Sequence, residues 1–197
     1  MFVTVEGIDG SGKSTLAKAL AEALRVRLGA DRVVLTHEPT DQSPWGRRLR
    51  QSFADERLSR EDEIEHFHQD RLHHLTSVIE PALAKRQVVI CDRYVDSLLA
   101  YQARDPADAD TLYTRMAAEI LEPDLVLILQ LPVEAAIERI GANRTELTSF
   151  ERDETLKRAA AIYASRKGAR YHRIDARLAP DQVLKQAVSA VLSAMKA

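Results

Sequence analysis

The chain has 197 residues, 45% of them apolar and 29% charged, with a net charge of −2 at neutral pH. That length suits a single domain with a full core, and the composition is ordinary for a soluble globular protein. No Lys/Arg run is long enough to track nucleic acid or coat a membrane surface, so neither is an expected partner.

In chain order, Phe2-Val3-Thr4-Val5 opens a strand predicted over 2–6, and Leu16, Leu20 and Leu24 recur at helical spacing within a helix over 13–28. A second strand follows at 32–36, then helices near 45–52 and 60–84 and a third strand at 87–91. A helix at 109–121, a strand at 125–130, helices at 133–141 and 151–167, a strand at 171–174 and a helix at 181–195 complete the pattern. Pro132 opens the helix after the fourth strand, and Pro180-Asp181 opens the last one. Continuous apolar strands separated by helices predict an α/β fold with a five-stranded parallel sheet covered on both faces.

No linker or repeat divides the chain, so 1–197 reads as one domain, with the polar, weakly patterned segment 142–150 as a candidate lid. The N-terminus enters its first strand directly and no long apolar stretch follows, which predicts a cytoplasmic protein without a membrane span. Cys91, the single cysteine, ends the apolar run Val88-Val89-Ile90 and predicts a buried structural thiol in a reducing compartment.

Chemistry enters at residues 7–14. Gly7-Ile8-Asp9-Gly10-Ser11-Gly12-Lys13-Ser14, followed by Thr15, fits the phosphate-binding loop of P-loop NTPases at every fixed position, between a strand and a helix. Glycines let backbone N–H groups turn inward around an anion, and the helix N-terminus adds partial positive charge. Lys13 supplies a point charge for the β- and γ-phosphates of a nucleoside triphosphate, and the Ser14 hydroxyl is placed for Mg²⁺.

In parallel α/β sheets ligands sit beyond the carboxyl ends of the strands. His37-Glu38-Pro39 follows the second strand and Asp92-Arg93-Tyr94 the third. An acidic residue at the latter position suits the Mg²⁺ shell, and the planar guanidinium of Arg93 suits a phosphate. The Asn-Lys-x-Asp signature of guanine readers is absent. The length and the arginine-rich second half fit a nucleoside monophosphate kinase, which must bring two charged phosphate groups together.

Five ordered motifs then resemble the thymidylate kinase family over nearly the whole chain: Val5 to Thr15, Glu38-Pro39, Asp70-Arg71, Asp92-Arg93-Tyr94 through Ser97, Ala100, Tyr101 and Gln102, and Phe150-Glu151-Arg152-Asp153 ahead of Tyr163. The resemblance implies phosphorylation of dTMP to dTDP by ATP with Mg²⁺, and a homodimer packed through the 60–84 helix. It gives Asp9 to the acceptor 3′-hydroxyl, Phe67 to stacking on the base, Arg71 to the base edge, Arg93 to the acceptor phosphate and Asp92 to the magnesium site. Glu38, Tyr101 and Phe150 line the acceptor site in the same comparison. The phosphate loop holds no arginine, so the resemblance implies a lid arginine, Arg144, with Arg139 and Arg152 in reserve.

Two positions depart from the family pattern. His37 stands where an arginine usually precedes Glu-Pro, and it carries less positive charge at neutral pH, with Arg47 and Arg48 as candidates to compensate. Leu98 stands where a polar side chain often helps read the base, and losing such a contact relaxes discrimination. These leave open a kinase for another nucleoside monophosphate or deoxynucleoside, or a non-catalytic nucleotide-binding paralogue.

Overall fold

A computed structural model describes residues 1–143 and 153–196. Five parallel strands form the sheet: β1 (Phe2–Gly7), β2 (Val33–His37), β3 (Val88–Asp92), β4 (Leu125–Gln130) and β5 (Tyr171–Asp175), in the order β2-β3-β1-β4-β5. β1 lies between β3 and β4, and its registers pair Val5 with both Asp92 and Leu127. His37 pairs with Asp92, so β2 and β3 deliver their carboxyl ends together. Every residue of β1 is buried, which explains why it reads as a continuous apolar run interrupted only by Thr4 and Glu6.

Helices cover both faces. α1 (Lys13–Leu28) and α9 (Pro180–Ala194) pack together on one. The other carries α2 (Pro44–Ala54), α3 (Arg60–His74), α4 (Glu80–Ala84), α5 (Val95–Gln102), α6 (Pro106–Met116), α7 (Val133–Asn143) and α8 (Asp153–Ser165), with α5 packed on α3, α6 and α8. α3 is capped by Ser59, whose side chain accepts from Asp62 N–H at 3.1 Å. Glu61, Asp62 and Glu63 sit at its positive end, and Arg71, His73 and His74 at its negative one.

The 60–84 run is helical throughout, but a π-turn over Leu75–Ile79 divides α3 from α4. Pro81 lacks an N–H and crowds the preceding turn, and the wider π geometry accommodates it. α5 was not expected as a helix. It is buried on nearly all sides, Val95 through Ala100 included, so it carries no amphipathic stripe to reveal it. α6 starts earlier than the expected 109, because Pro106 takes the first turn and Asp105 caps it by accepting from Asp108 N–H at 2.8 Å. It also ends at Met116, short of 121.

Cys91 is buried in the core, donates to Arg93 O at 3.0 Å, and has its pKa pushed well up by burial. Among the described residues, no helix is long and apolar enough to cross a membrane.

Candidate active site

The turn between β1 and α1 has the backbone a phosphate loop requires. Gly7, Gly10 and Gly12 have φ of 139°, 79° and 94°, a region that disfavours side chains. Gly10 is excluded twice over, since a Cβ there would lie 2.7 Å from Ala136 O on α7. Ser11 is buried within the loop, its N–H donating to Ile8 O at 3.2 Å, while Ser14 and Thr15 stand exposed on the first turn of α1. That first turn leaves backbone donors facing whatever the loop encloses.

Lys13 is 5% exposed; it donates to Ile8 O at 2.8 Å and lies 3.4 Å from Asp9 Oδ1. Burial, with help from Arg93, lowers its pKa to about 8 against the opposing pull of Asp9, Asp92 and Glu6. Arg93 adopts φ +70°, unusual for a residue with a side chain, and this turns its guanidinium back onto the phosphate loop. There it forms an ion pair with Asp9, sits 5.4 Å over the Tyr101 ring and reaches Ser97 Oγ at 3.4 Å. Burial alone would raise the Asp9 carboxyl, but Arg93 and Lys13 hold it well below the usual carboxylate range. Tyr101 hydroxyl accepts the Asp9 N–H at 2.8 Å and so fixes the loop at its tip.

Ser14 Oγ donates to Asp92 Oδ2 at 2.5 Å, joining the phosphate loop to the end of β3. The other carboxylate oxygen, Asp92 Oδ1, is buried without a hydrogen-bond partner among the described residues. Two adjacent hard oxygens, one of them orphaned, fit a divalent cation that keeps most of its shell as water and phosphate oxygens, as Mg²⁺ does. No cluster of three or more His, Cys, Asp or Glu residues suited to an all-protein cage occurs among the described residues.

Behind this cluster, the segment after β2 folds onto α3. Glu38 is buried, accepting from Arg71 Nη2 at 2.6 Å and facing His74 Nδ1 at 3.1 Å. Arg71 is fully buried under the Tyr94 ring, and its Nε and Nη1 lack partners among the described residues. Two unspent donors on a buried guanidinium fit recognition of an acceptor edge on a ligand. Phe67, half-buried one helical turn before Arg71, lies 6.3 Å from the Phe53 ring of α2. Asp70 accepts from Thr40 N at 2.7 Å, Thr40 Oγ1 at 2.6 Å and Ser43 Oγ, pinning the 40–43 turn to α3.

The structure thus brings together Asp9, Lys13, Ser14, Asp92, Arg93 and Tyr101, with Glu38, Phe67 and Arg71 alongside. Arg144, Phe150 and the reserve Arg152 lie outside the described residues, as does most of the 142–150 segment. Arg139 is on α7 and donates to Ala176 O at 2.9 Å. Leu98 is 1% exposed and packs in the core. Beside His37 the structure sets Arg50, at 3.0 Å from Nδ1, whereas Arg47 donates to the Asp41 and Gln42 carbonyls at 3.1 and 2.8 Å.

Sequence reasoning gave no role to Arg50 or to Glu6. Arg50 is brought in only by the way α2 folds back on β2. For Glu6 a signal existed, a carboxylate within a strand otherwise read as core. The described residues enclose a cavity of about 390 Å³ that reaches the loop at Ile8, and a second of similar volume away from it. The first opens after β4 and β5, beside Leu131, Pro132, Asp175 and Arg177. The other lies beside Tyr101, with Arg57, Glu63, Gln102 and Arg158 in its walls.

Known proteins resemble this chain over nearly its whole length. A family model described as "Thymidylate kinase" matches residues 5–187. A thymidylate kinase of Xanthomonas campestris pv. campestris (strain B100) is 43% identical over 197 residues, covering 99% of this chain and 84% of that protein. One of Desulfovibrio desulfuricans is 41% identical, with 97% and 94% covered. The crystal structure of thymidylate kinase from Ehrlichia chaffeensis superposes with a TM-score of 0.70 at 27% identity, over 97% of this chain and 98% of that one.

Proposed function

The chain belongs to the thymidylate kinase family, and on that premise we propose that it transfers the γ-phosphoryl group of ATP directly to the phosphate of dTMP, giving ADP and dTDP. The observation that carries this reading is the ion pair of Arg93 with Asp9, which sets a guanidinium from the end of β3 against the phosphate loop next to Lys13. A protein that only bound ATP would have no use for that second cation.

The phosphate loop and α1 receive the donor phosphates, Lys13 meets the β- and γ-oxygens, and the donor nucleoside points toward the cavity after β4 and β5. Arg93 takes the acceptor phosphate and Asp9 the acceptor 3′-hydroxyl. The base lies against Phe67 with its edge on the unspent donors of Arg71, while Glu38 holds that guanidinium in place. Tyr101 walls the sugar. Ser14 and Asp92 would hold Mg²⁺, which when bound neutralises charge on the transferring phosphates. Positioning and electrostatics suffice for an in-line displacement, and no covalent enzyme intermediate is required.

Arg144, in the lid segment 142–150 of a single 1–197 domain, is assigned to the transferring phosphoryl group, and Phe150 to the sugar. A homodimer through the α3–α4 run and a cytoplasmic location complete the reading. The test is product analysis: with Mg·ATP and dTMP the protein forms ADP and dTDP in equal amounts, and K13A lowers that rate by about 10²- to 10³-fold. ATP binding without any dTDP would leave a nucleotide-binding paralogue instead.

A further inference from the structure

Glu6 is a carboxylate in the middle strand of the sheet, fully buried, and none of the steps above uses it. Its Oε1 accepts the Tyr94 N–H at 2.7 Å, and its Oε2 accepts from Ser97 Oγ at 2.5 Å and from the Tyr163 hydroxyl at 2.9 Å. Ser97 Oγ is in turn the oxygen that Arg93 Nη1 reaches at 3.4 Å, and it lies 3.0 Å from the Tyr163 hydroxyl. An ionised carboxylate is acceptor-only, so both hydroxyl protons must point at Glu6. The Ser97 lone pairs are then left facing the guanidinium.

We infer that Glu6 is a positioning residue for Arg93, acting through the Ser97 and Tyr163 hydroxyls to hold the guanidinium where the acceptor phosphate arrives. The inference rests on the reading of Arg93 as the acceptor-phosphate group. Three elements converge on this one carboxylate: Tyr94, Ser97 and Asp96 from α5 and the turn before it, Tyr163 from α8, and Lys13 from α1. Arg93 faces it from the same turn, and Arg166 lies behind, pairing with Asp96 at 3.0 Å. A carboxylate here is costly to bury. Burial first, then the nearby Asp96, push its pKa up to about 7 against the pull of Ser97, Tyr163 and Arg93. Below that pH the carboxyl becomes a donor and one of the two hydroxyls must turn away.

The test is steady-state kinetics of E6Q, S97A, Y163F and R93K against the parent protein, varying dTMP and ATP separately. E6Q has one amide oxygen where Glu6 uses two carboxylate oxygens, so it cannot accept from Tyr94 N–H and from both hydroxyls at once, and its KM for dTMP is expected to rise about tenfold while KM for ATP stays within about twofold. As the pH falls below about 7, kcat/KM for dTMP drops more steeply in the parent than in E6Q, by one proton, over and above the titration of dTMP itself. An unchanged KM for dTMP and an unchanged pH profile in E6Q overturn the inference. So does a parallel change in both KM values with a lowered melting temperature, which marks a merely structural role. Should E6Q fail to fold, S97A and Y163F carry the same readout, and an unaltered KM for dTMP in both overturns it. R93K separates the two readings: if it leaves the KM for dTMP unchanged, the reading of Arg93 itself fails, whatever E6Q does.

Discussion

Lys13 illustrates how the site sets its own pH limits at the residue scale. In the free protein its charge is weakened by burial and by Arg93, which brings its pKa down to about 8. In the proposed role the protonated form binds phosphate, and that charge is present below this value and lost above it. ATP affinity measured without acceptor is therefore expected to fall as pH rises past about 8, approaching tenfold per unit. Removing the Arg93 charge takes away a repulsion, so in R93M the fall should move to higher pH. An unshifted fall in R93M would mean that the two cations do not sense each other. Arg93 makes the same point in backbone terms: a φ of +70° is tolerated because Asp9, Tyr101 and Ser97 together hold the side chain in one place.

At the scale of elements, the site depends on how the segment after β2 is folded back onto α3. Asp70 and Gly46 act as a pair in this. Asp70 gathers three donors from Thr40 and Ser43, and Gly46 gives them room, since a Cβ there would lie 2.1 Å from Thr40 O and 2.6 Å from Asp70 Oδ1. G46A is expected to destabilise the fold by about 1–3 kcal/mol, read as a lower melting temperature, and to raise the KM for dTMP through the displaced Glu38. A melting temperature equal to the parent's would show that the turn yields freely.

The sequence carried the elements with a pattern of their own: all five strands lie within a residue or two of their expected bounds, and α1 spans 13–28 as read. It did not carry α5, whose buried surroundings remove the helical stripe, nor the split of the 60–84 helix at a π-turn. The phosphate loop and Asp92-Arg93 were legible because their chemistry needs fixed residue types at fixed spacing. Arg50 beside His37 and the Glu6–Ser97–Tyr163 triangle depend on contacts between distant elements, for which no local spacing exists.

For the whole molecule, the parallel sheet explains why the candidate site residues gather in one small region. β1, β3 and β2 end side by side, so the phosphate loop, Asp92-Arg93 and Glu38 reach a common edge from widely separated points in the chain. Lys13 and Arg93 are thereby fixed on either side of Asp9, and in the proposed roles this would remove much of the entropy cost of bringing two phosphates together. In the proposed site, thymine and uracil differ by a single methyl group, so discrimination between them is expected to be small. The measurement that tests the central claim most directly is kcat/KM with Mg·ATP for dTMP, dUMP, dCMP, AMP and thymidine. The account predicts dTMP as the best acceptor, dUMP behind it by roughly ten- to a hundred-fold, and no turnover of thymidine, which lacks the phosphate proposed for Arg93. Faster turnover of dCMP, AMP or thymidine than of dTMP would contradict it.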